Sequence, residues 1–329
     1  MLNYKNIYID GNKVSKLYLD GKLAYTAIVT VEGLCFSAFQ AGSTVQLTSV
    51  GSPTAINLVY STDGCISWNN YTIGDVITLT NVYDEVYIKS NGSTTFSTDS
   101  SNYYKFVMTG KIAASGSIMW LVDSTGQSKT ASAYCFYKLF HSCTSLTMAP
   151  ELPATTIGEQ CYVDLFNGCT SLSIAPDELP ATTLANTCYT RMFQNCTELT
   201  SVPVLPAETM TTQCYFNMFY GCTSLTMPPE LPATSIADSC YRQMFYGCTS
   251  LTDAPELPAT SLANNCYSGM FNGCSSLTSI NVGFTSWTSG ATDNWVKNVA
   301  SNGTFTCPSS LPDTRGDSNI PTNWTKTDI

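Results

Sequence analysis

Fifteen cysteines, a single histidine and a recurring column of glutamates are the side chains of this 329-residue chain that could do chemistry. Twelve of the cysteines fall in pairs eight residues apart, from Cys135 and Cys143 to Cys266 and Cys274. Along a helix that spacing is about 12 Å, beyond the reach of a disulfide. One column of cysteines could still approach disulfide range between neighbouring copies, but a ladder of small buried thiols is the better reading, in keeping with the odd total. Zinc is disfavoured, because no C-x-x-C occurs and His141 is the one histidine. A Ser/His/Asp triad would have to use His141, and no G-x-S-x-G, H-E-x-x-H or phosphate-loop motif is present. Glu151, Glu178, Glu230 and Glu256 recur at one position, interrupted by Val204. Stacked like charges repel, so this column is either solvated, the commoner case, or holds a cation. A general acid/base pair needs two carboxylates in unlike surroundings, and a regular column supplies the opposite. The expectation is a protein with no catalytic residues, no cofactor and no assigned metal.

The elements that must position these residues are written as one sentence repeated six times. Cys135-Phe136, Cys161-Tyr162, Cys188-Tyr189, Cys214-Tyr215, Cys240-Tyr241 and Cys266-Tyr267 open the copies at intervals of 26, 27, 26, 26 and 26 residues. The single slip is one acidic residue at Asp177-Glu178. Each copy follows C-Y-x-x-[ML]-F-x-x-C-[TS]-x-L, and five of the six continue into a Pro-rich piece such as Ala149-Pro150-Glu151-Leu152-Pro153. A 20–30-residue period with Leu at fixed offsets predicts a leucine-rich solenoid. Apolar residues at i, i+1, i+4, i+5 and i+8 in Cys240–Cys248 predict a short helix. Gly168, Gly221, Gly247 and Gly273 would terminate it, and Ser239 or Asn265 would cap its start. The predicted fold is therefore mixed α+β: about six 26-residue strand–helix coils over 113–280, with Ile112–Thr130 closing the first.

Three further segments flank the repeats. Residues 1–28 hold Ile7-Tyr8-Ile9-Asp10-Gly11 and Leu17-Tyr18-Leu19-Asp20-Gly21, which read as a three-stranded β-meander turning at Asp-Gly. Too small for a secure core, it should pack on a partner. Residues 29–112 read as a β-rich, sandwich-like domain with strands at 44–50, 55–61, 75–79, 85–89 and 104–108. Within it, Ser61-Thr62-Asp63-Gly64-Cys65-Ile66-Ser67-Trp68 resembles the Asp-box hairpin and implies a turn with a buried Trp68. Residues 281–329 read as a C-terminal cap with a short helix over 294–300, and Arg315-Gly316-Asp317 there is a chance tripeptide in a turn.

A net charge of −10 argues against a nucleic-acid partner. No apolar run is long enough to span a membrane, and no leader-like start is recognised, so synthesis and use without export is the expectation. The positions that vary between copies are Val163-Asp164, Thr190-Arg191, Phe216-Asn217, Arg242-Gln243 and Ser268-Gly269, and three residues on Asn167, Gln194, Tyr220, Tyr246 and Asn272. They are expected to face outward. Arg191, Phe216, Asn217, Tyr220, Arg242, Gln243 and Tyr246 are either ordinary surface drift or binding anchors, for which aromatic residues and Arg are the usual choice.

From Cys135 to Thr278 the copies closely resemble BspA-like leucine-rich repeats of the C-Y-x-x-M-F-x-G-C-T-S-L-T variety. The flanks, including 58–64, 104–112 and 294–305, are similar to segments that accompany such repeats in surface adhesins of gut anaerobes and of their bacteriophages and prophages. The resemblance implies a non-enzymatic adhesion or receptor-binding protein of a phage or prophage tail, carried in the virion after cytoplasmic synthesis. Its implied partners are a host-surface glycan or protein and other tail subunits, reached through residues 1–28, with a homo-oligomer, trimeric for instance, as the assembly. A bacterial cell-surface adhesin is the alternative.

Overall fold

The computed structural model describes residues 32–329, together with the backbones of three N-terminal strands. Those strands are β1 (Ile7–Ile9), β2 (Asn12–Leu19) and β3 (Lys22–Val29), an antiparallel sheet in the order β1-β2-β3. The interval 10–11 separates the first pair and 20–21 the second; those residues and all side chains before residue 32 lie outside the described part.

The β-domain begins with β4 (Leu34–Ala38), β5 (Ser43–Val50), β6 (Leu58–Ser61) and β7 (Asn69–Tyr71). It continues with β8 (Val76–Leu79), β9 (Glu85–Ser90), β10 (Tyr103–Thr109) and β11 (Ile112–Ser115). Strands β10-β5-β8 form one sheet, and β11-β4-β9-β6-β7 belong to the other. Alternation along β5 and β10 turns Val45, Leu47, Tyr104, Phe106 and Met108 inward, and Phe36 meets Phe106 edge-on at 4.9 Å between ring centroids. A 3-10 turn, Ile118–Leu121, follows, started by Ser117, whose side chain accepts the Met119 N–H.

From here the chain departs from the predicted architecture. The described residues contain no α-helix; outside the 3-10 turn they are strands, turns and loops. The strand–helix solenoid is overturned, and with it the helix over 294–300. Each Cys-Tyr segment is instead a ribbon of turns with a left-handed residue every fourth position. In the second copy these are Gln160 (φ 56°), Asp164 (φ 55°) and Gly168 (φ 76°); in the fifth, Ser239, Gln243 and Gly247.

The backbone hydrogen bonds show how such a ribbon is held. Val163, Leu165, Asn167 and Cys169 donate three residues back, to Gln160, Tyr162, Asp164 and Phe166. The amides between them, Tyr162, Asp164, Phe166 and Gly168, donate to Cys188, Thr190, Met192 and Gln194 of the next copy, at 2.8–3.0 Å. Half of the amides thus close turns and half tie one copy to the next. A helix would have turned its bonded amides back onto its own carbonyls and tied none of them to the next copy, leaving the copies joined by side chains. Ser239 and Asn265 are left-handed members of this ribbon and not extended N-caps.

Short strands complete the copies: β12 (Thr130–Ala131), β13 (Leu146–Met148) and β14 (Thr156–Ile157) early on, then β15 (Ser279–Asn281), β16 (Thr304–Cys307) and β17 (Thr325–Asp328) at the far end. Pairing between copies is parallel, β12 with β14 and β15-β16-β17 in sequence, with single bridges such as Met148–Ile174 and Asp253–Ser279 between. Prolines at 150, 153, 176 and 180 lack the N–H that would widen these contacts into long strands.

The repeated letters are the core. Tyr162, Tyr189, Tyr215, Tyr241 and Tyr267 stack with centroids 5.7–5.9 Å apart. Phe140, Phe166, Phe193, Phe219, Phe245 and Phe271 form a second ladder at 5.4–5.9 Å. At the near end β10 acts as a preceding copy. Phe106 stacks on Phe140 at 5.3 Å, and its carbonyl accepts from the Cys143 thiol as later phenylalanines accept from later cysteines. Strand β11 also pairs in parallel with β13. At the far end Gly290, Asn294 and Asn298 repeat the left-handed spacing, and buried Trp295 closes over Tyr267 and Phe271. One continuous apolar core runs from Leu34 to Trp324.

Candidate functional site

Two residue classes emerge from the turn ribbon. The cysteines point inward. All 15 are thiols without disulfides, buried except for half-exposed Cys65. The second thiol of each pair donates to a phenylalanine carbonyl one copy back, as Cys169 does to Phe140 at 3.0 Å and Cys248 to Phe219 at 3.1 Å. Burial pushes these thiols up, Cys143 and Cys274 to about 12, so they are neither nucleophiles nor ready metal ligands. Among the described residues no three His, Cys, Asp or Glu side chains gather to hold a metal.

The acidic column is exposed at Glu151, Glu178, Glu230 and Glu256. Glu178 bridges directly to Val204, which is 60% exposed, so the column is interrupted within the stack itself. Glu151 lines a groove with Lys129, Asp177 and Glu178. Partial burial there, and then Asp177, raise its carboxyl, while Lys129 opposes them. His141 is half-buried, with Nδ1 lacking a partner, and burial lowers its pKa below the ordinary imidazole value.

The varied positions do not all face outward as expected. Asp164 is 3% exposed, Thr190 5% and Asn217 9%. Arg191 is committed to its neighbour: Nε lies 2.8 Å from Asp164 Oδ1 and Nη2 2.9 Å from Oδ2, with Asn167 Nδ2 donating to Oδ1 at 2.7 Å. Burial alone would raise the Asp164 carboxyl, but the Arg191 hydrogen bonds, Asn167 and the nearby positive charges leave it below the usual carboxylate range. This pair is a clamp between copies, and it commits Nε and Nη2 of Arg191 to Asp164.

Among the remaining candidates, two pairs meet across adjacent copies. Phe216, Tyr220, Arg242, Gln243 and Tyr246 are half-buried on two adjacent copies. Tyr220 and Tyr246 stack at 4.7 Å with planes 4° apart, and the Arg242 guanidinium carbon lies 5.7 Å from the centre of the Phe216 ring. Asn217 N–H donates to the Arg242 carbonyl at 3.0 Å, which fixes the register of the two copies. Arg242 Nε and Asn217 Oδ1 are buried without partners. No sequence signal foretold those orphaned atoms; Asn217 is buried at a left-handed position, which residue type does not announce.

Two other motifs prove structural. In the Asp-box segment Asp63 accepts from the Ser61 and Ser67 hydroxyls and from the Ile66 and Ser67 N–H groups, which hold its carboxyl well below the usual range. Trp68 is half-buried rather than buried, with Lys89 Nζ 4.1 Å over its ring. Arg315 is tied to Asp313 and, through Nη1, to the Trp324 carbonyl at 2.6 Å, so the tripeptide builds the cap.

These features define a repeat protein whose constant letters pack and whose varied letters form a polar-aromatic face. The chain belongs to the BspA-type leucine-rich repeat family: the model of the BspA type leucine rich repeat region matches in six copies, over residues 129–254 and 189–311. A crystal structure of a leucine-rich repeat protein from T. pallidum is similar at 18% identity, over 62% of this chain and 84% of that one, with a TM-score of 0.30. No curated protein matches the chain.

Proposed function

We propose that this is a non-enzymatic adhesion or receptor-binding protein of a phage or prophage tail, and that it recognises a host-surface glycan or protein. The observation that carries the adhesion reading is the division of labour within each copy. Every constant Cys, Tyr, Met/Leu and Phe is buried in the ladders, while Tyr220, Tyr246, Phe216 and Arg242 gather on the side that packing leaves free. Aromatic residues and arginine are the groups that dominate recognition when they cluster. Proteins of the BspA type are generally surface- or adhesion-associated and non-enzymatic, which supports the same reading.

On this account residues 1–28 attach the chain to other tail subunits and assemble it as a homo-oligomer, and the β-domain spaces the repeats from that attachment. The tail assignment rests on the resemblance of the flanking segments and is tested by mass spectrometry of purified virions. The expected result is this chain among the tail proteins, and its absence removes the virion role. The surface association of the family favours a second reading, a bacterial cell-surface adhesin; recovery from the cell envelope of a phage-free strain would establish it. No helix among the described residues is long and apolar enough to cross a membrane.

A further inference from the structure

A groove of about 540 Å³ opens where the β-domain meets the repeats, within the size range of small-ligand clefts. One wall comes from the turns after β4 and β10, with Phe39 and Lys111. The other comes from the first three copies, with Ser145, Thr147, Ser171, Ser173 and Glu198. Phe39 is 46% exposed and meets Tyr83 edge-on at 5.8 Å between ring centroids. The repeat wall has a fixed polarity. The hydroxyls of Ser145, Thr147 and Ser173 donate to the Met108, Ile112 and Thr147 carbonyls at 3.3, 3.0 and 3.2 Å. A carbonyl only accepts, so each of these hydroxyls commits its one proton inward and keeps only lone pairs for whatever enters the groove. The same bond recurs further up the stack, from Thr200 to the Ser173 carbonyl and from Thr278 to that of Thr252. A ligand must therefore bring donors. Carboxylates and phosphates bring none when ionised, and the charged residues of the lining, Lys111 and Glu198, are one of each sign. An extended peptide brings a carbonyl for every N–H, and these acceptor oxygens leave such carbonyls unmet.

We propose that this groove is a binding site for a neutral, polyhydroxylated sugar chain. It shares no residue with the face that carries Phe216, Tyr220, Arg242 and Tyr246, so it is a second site and goes beyond the reading above. A sugar hydroxyl donates wherever its neighbour can only accept, and several such hydroxyls radiate from one ring. That pattern suits acceptors spread over two adjacent copies, at Ser145 and Thr147 and again at Ser173. The exposed Phe39 ring offers apolar surface to the C–H face of a pyranose, and Met148 and Ile174, the latter 46% exposed, extend it. Lys111 and Glu198 add one donor and one acceptor without a net charge. The site binds by contact alone and makes or breaks no covalent bond.

The test titrates the full chain, by calorimetry and saturation-transfer NMR, with maltotriose, cellotriose and N-acetylchitotriose as neutral probes. Tri-galacturonic acid and a neutral Gly-Ser octapeptide are the comparisons. At least one neutral trisaccharide is expected to bind at millimolar concentration or below, with an affinity that added salt leaves unchanged. Phe39→Ala should weaken that binding about 10-fold through loss of one aromatic contact. Ser171→Trp, at a half-buried position of the lining, should fill the groove and abolish binding, and it decides the matter if Phe39→Ala melts early. The proposal is overturned if no neutral trisaccharide binds at millimolar concentration, or if tri-galacturonic acid or the octapeptide binds at least as tightly. It is also overturned if either variant, folded, binds like wild type. A dimer that Phe39→Ala separates would give the groove to a second copy and overturn it too. Should every sugar fail while labelled chain still binds host cells, this inference falls and the adhesion reading stands.

Discussion

Single side chains in this protein are best understood by whether their polar atoms are satisfied. The Asp164–Arg191 clamp is satisfied on both sides, with Asp164 almost wholly buried and the Arg191 side chain 35% exposed. Removing one partner from a buried pair strands the other. Asp164→Asn is therefore expected to cost about 2 kcal/mol at pH 7, less than for a fully buried pair because Arg191 is partly solvated. The folded carboxyl sits below its unfolded value, so on acidification the unfolded chain takes up the proton first. The contribution of the pair is complete above the ordinary carboxylate range and is lost as pH falls through the folded value. In thermal melts the gap between wild type and variant should therefore be full at pH 7 and narrow as the pH falls below the ordinary carboxylate range; a constant gap contradicts the assignment. Tyr241 is the reverse case, a buried hydroxyl with no partner. Deleting an unsatisfied group relieves its desolvation cost, so Tyr241→Phe is expected to stabilise by about 1 kcal/mol in denaturant titrations. The first copy already carries Phe136 at this position, stacked on Tyr162 at 5.8 Å.

At the scale of the element, the turn ribbon explains what could be read in advance and what could not. Apolar residues at Cys161, Tyr162, Leu165, Phe166 and Cys169 lie four apart. Over nine residues, a period of 4.0 cannot be told from the 3.6 of a helix. Composition held a warning, because Cys, Tyr, Phe, Thr, Asn and Gly are poor helix formers, and the Gly168, Asn195, Gly221, Gly247 and Gly273 column marks one left-handed row in three. The other two rows carry residues such as Gln160, Arg191 and Gln243, for which left-handed backbone is unfavourable and which therefore give no signal. Register was legible, since the copy boundaries and ladder residues follow from the 26-residue period. The β-domain strands at 44–50, 75–79 and 85–89 coincide with β5, β8 and β9 because period-two alternation is local. Strands β4 and β11, buried on both faces, show no such alternation. Of the candidate surface, residue type alone singles out Tyr220, Tyr246 and Arg242, but the commitment of Arg191 to Asp164 depends on which copies are neighbours. If left-handed rows hold the ribbon, Gly247→Ala (φ 72°) should cost about 1–2 kcal/mol through backbone strain alone. The added methyl finds only Gly221 Cα, at 3.9 Å. An unchanged denaturation midpoint contradicts the ribbon.

At the largest scale, residues 34–324 share one core with two closures. Strand β10 supplies Phe106 where a preceding copy would supply its phenylalanine, and Trp295 and Trp324 seal the other end through Nε1 bonds to Asn319 and Ala300 carbonyls, each 2.8 Å. Because each copy bonds mainly to its neighbours, letters can change on the outer face without touching the ladders, and the proposed recognition surface lies there. The most direct measurement is binding of the purified, fluorescently labelled chain to intact host cells, wild type against the Tyr220→Ala/Tyr246→Ala double variant, with both melting points recorded. The account predicts saturable wild-type binding, and at least a 10-fold loss in the variant at unchanged fold. Equal binding by a folded variant would contradict it.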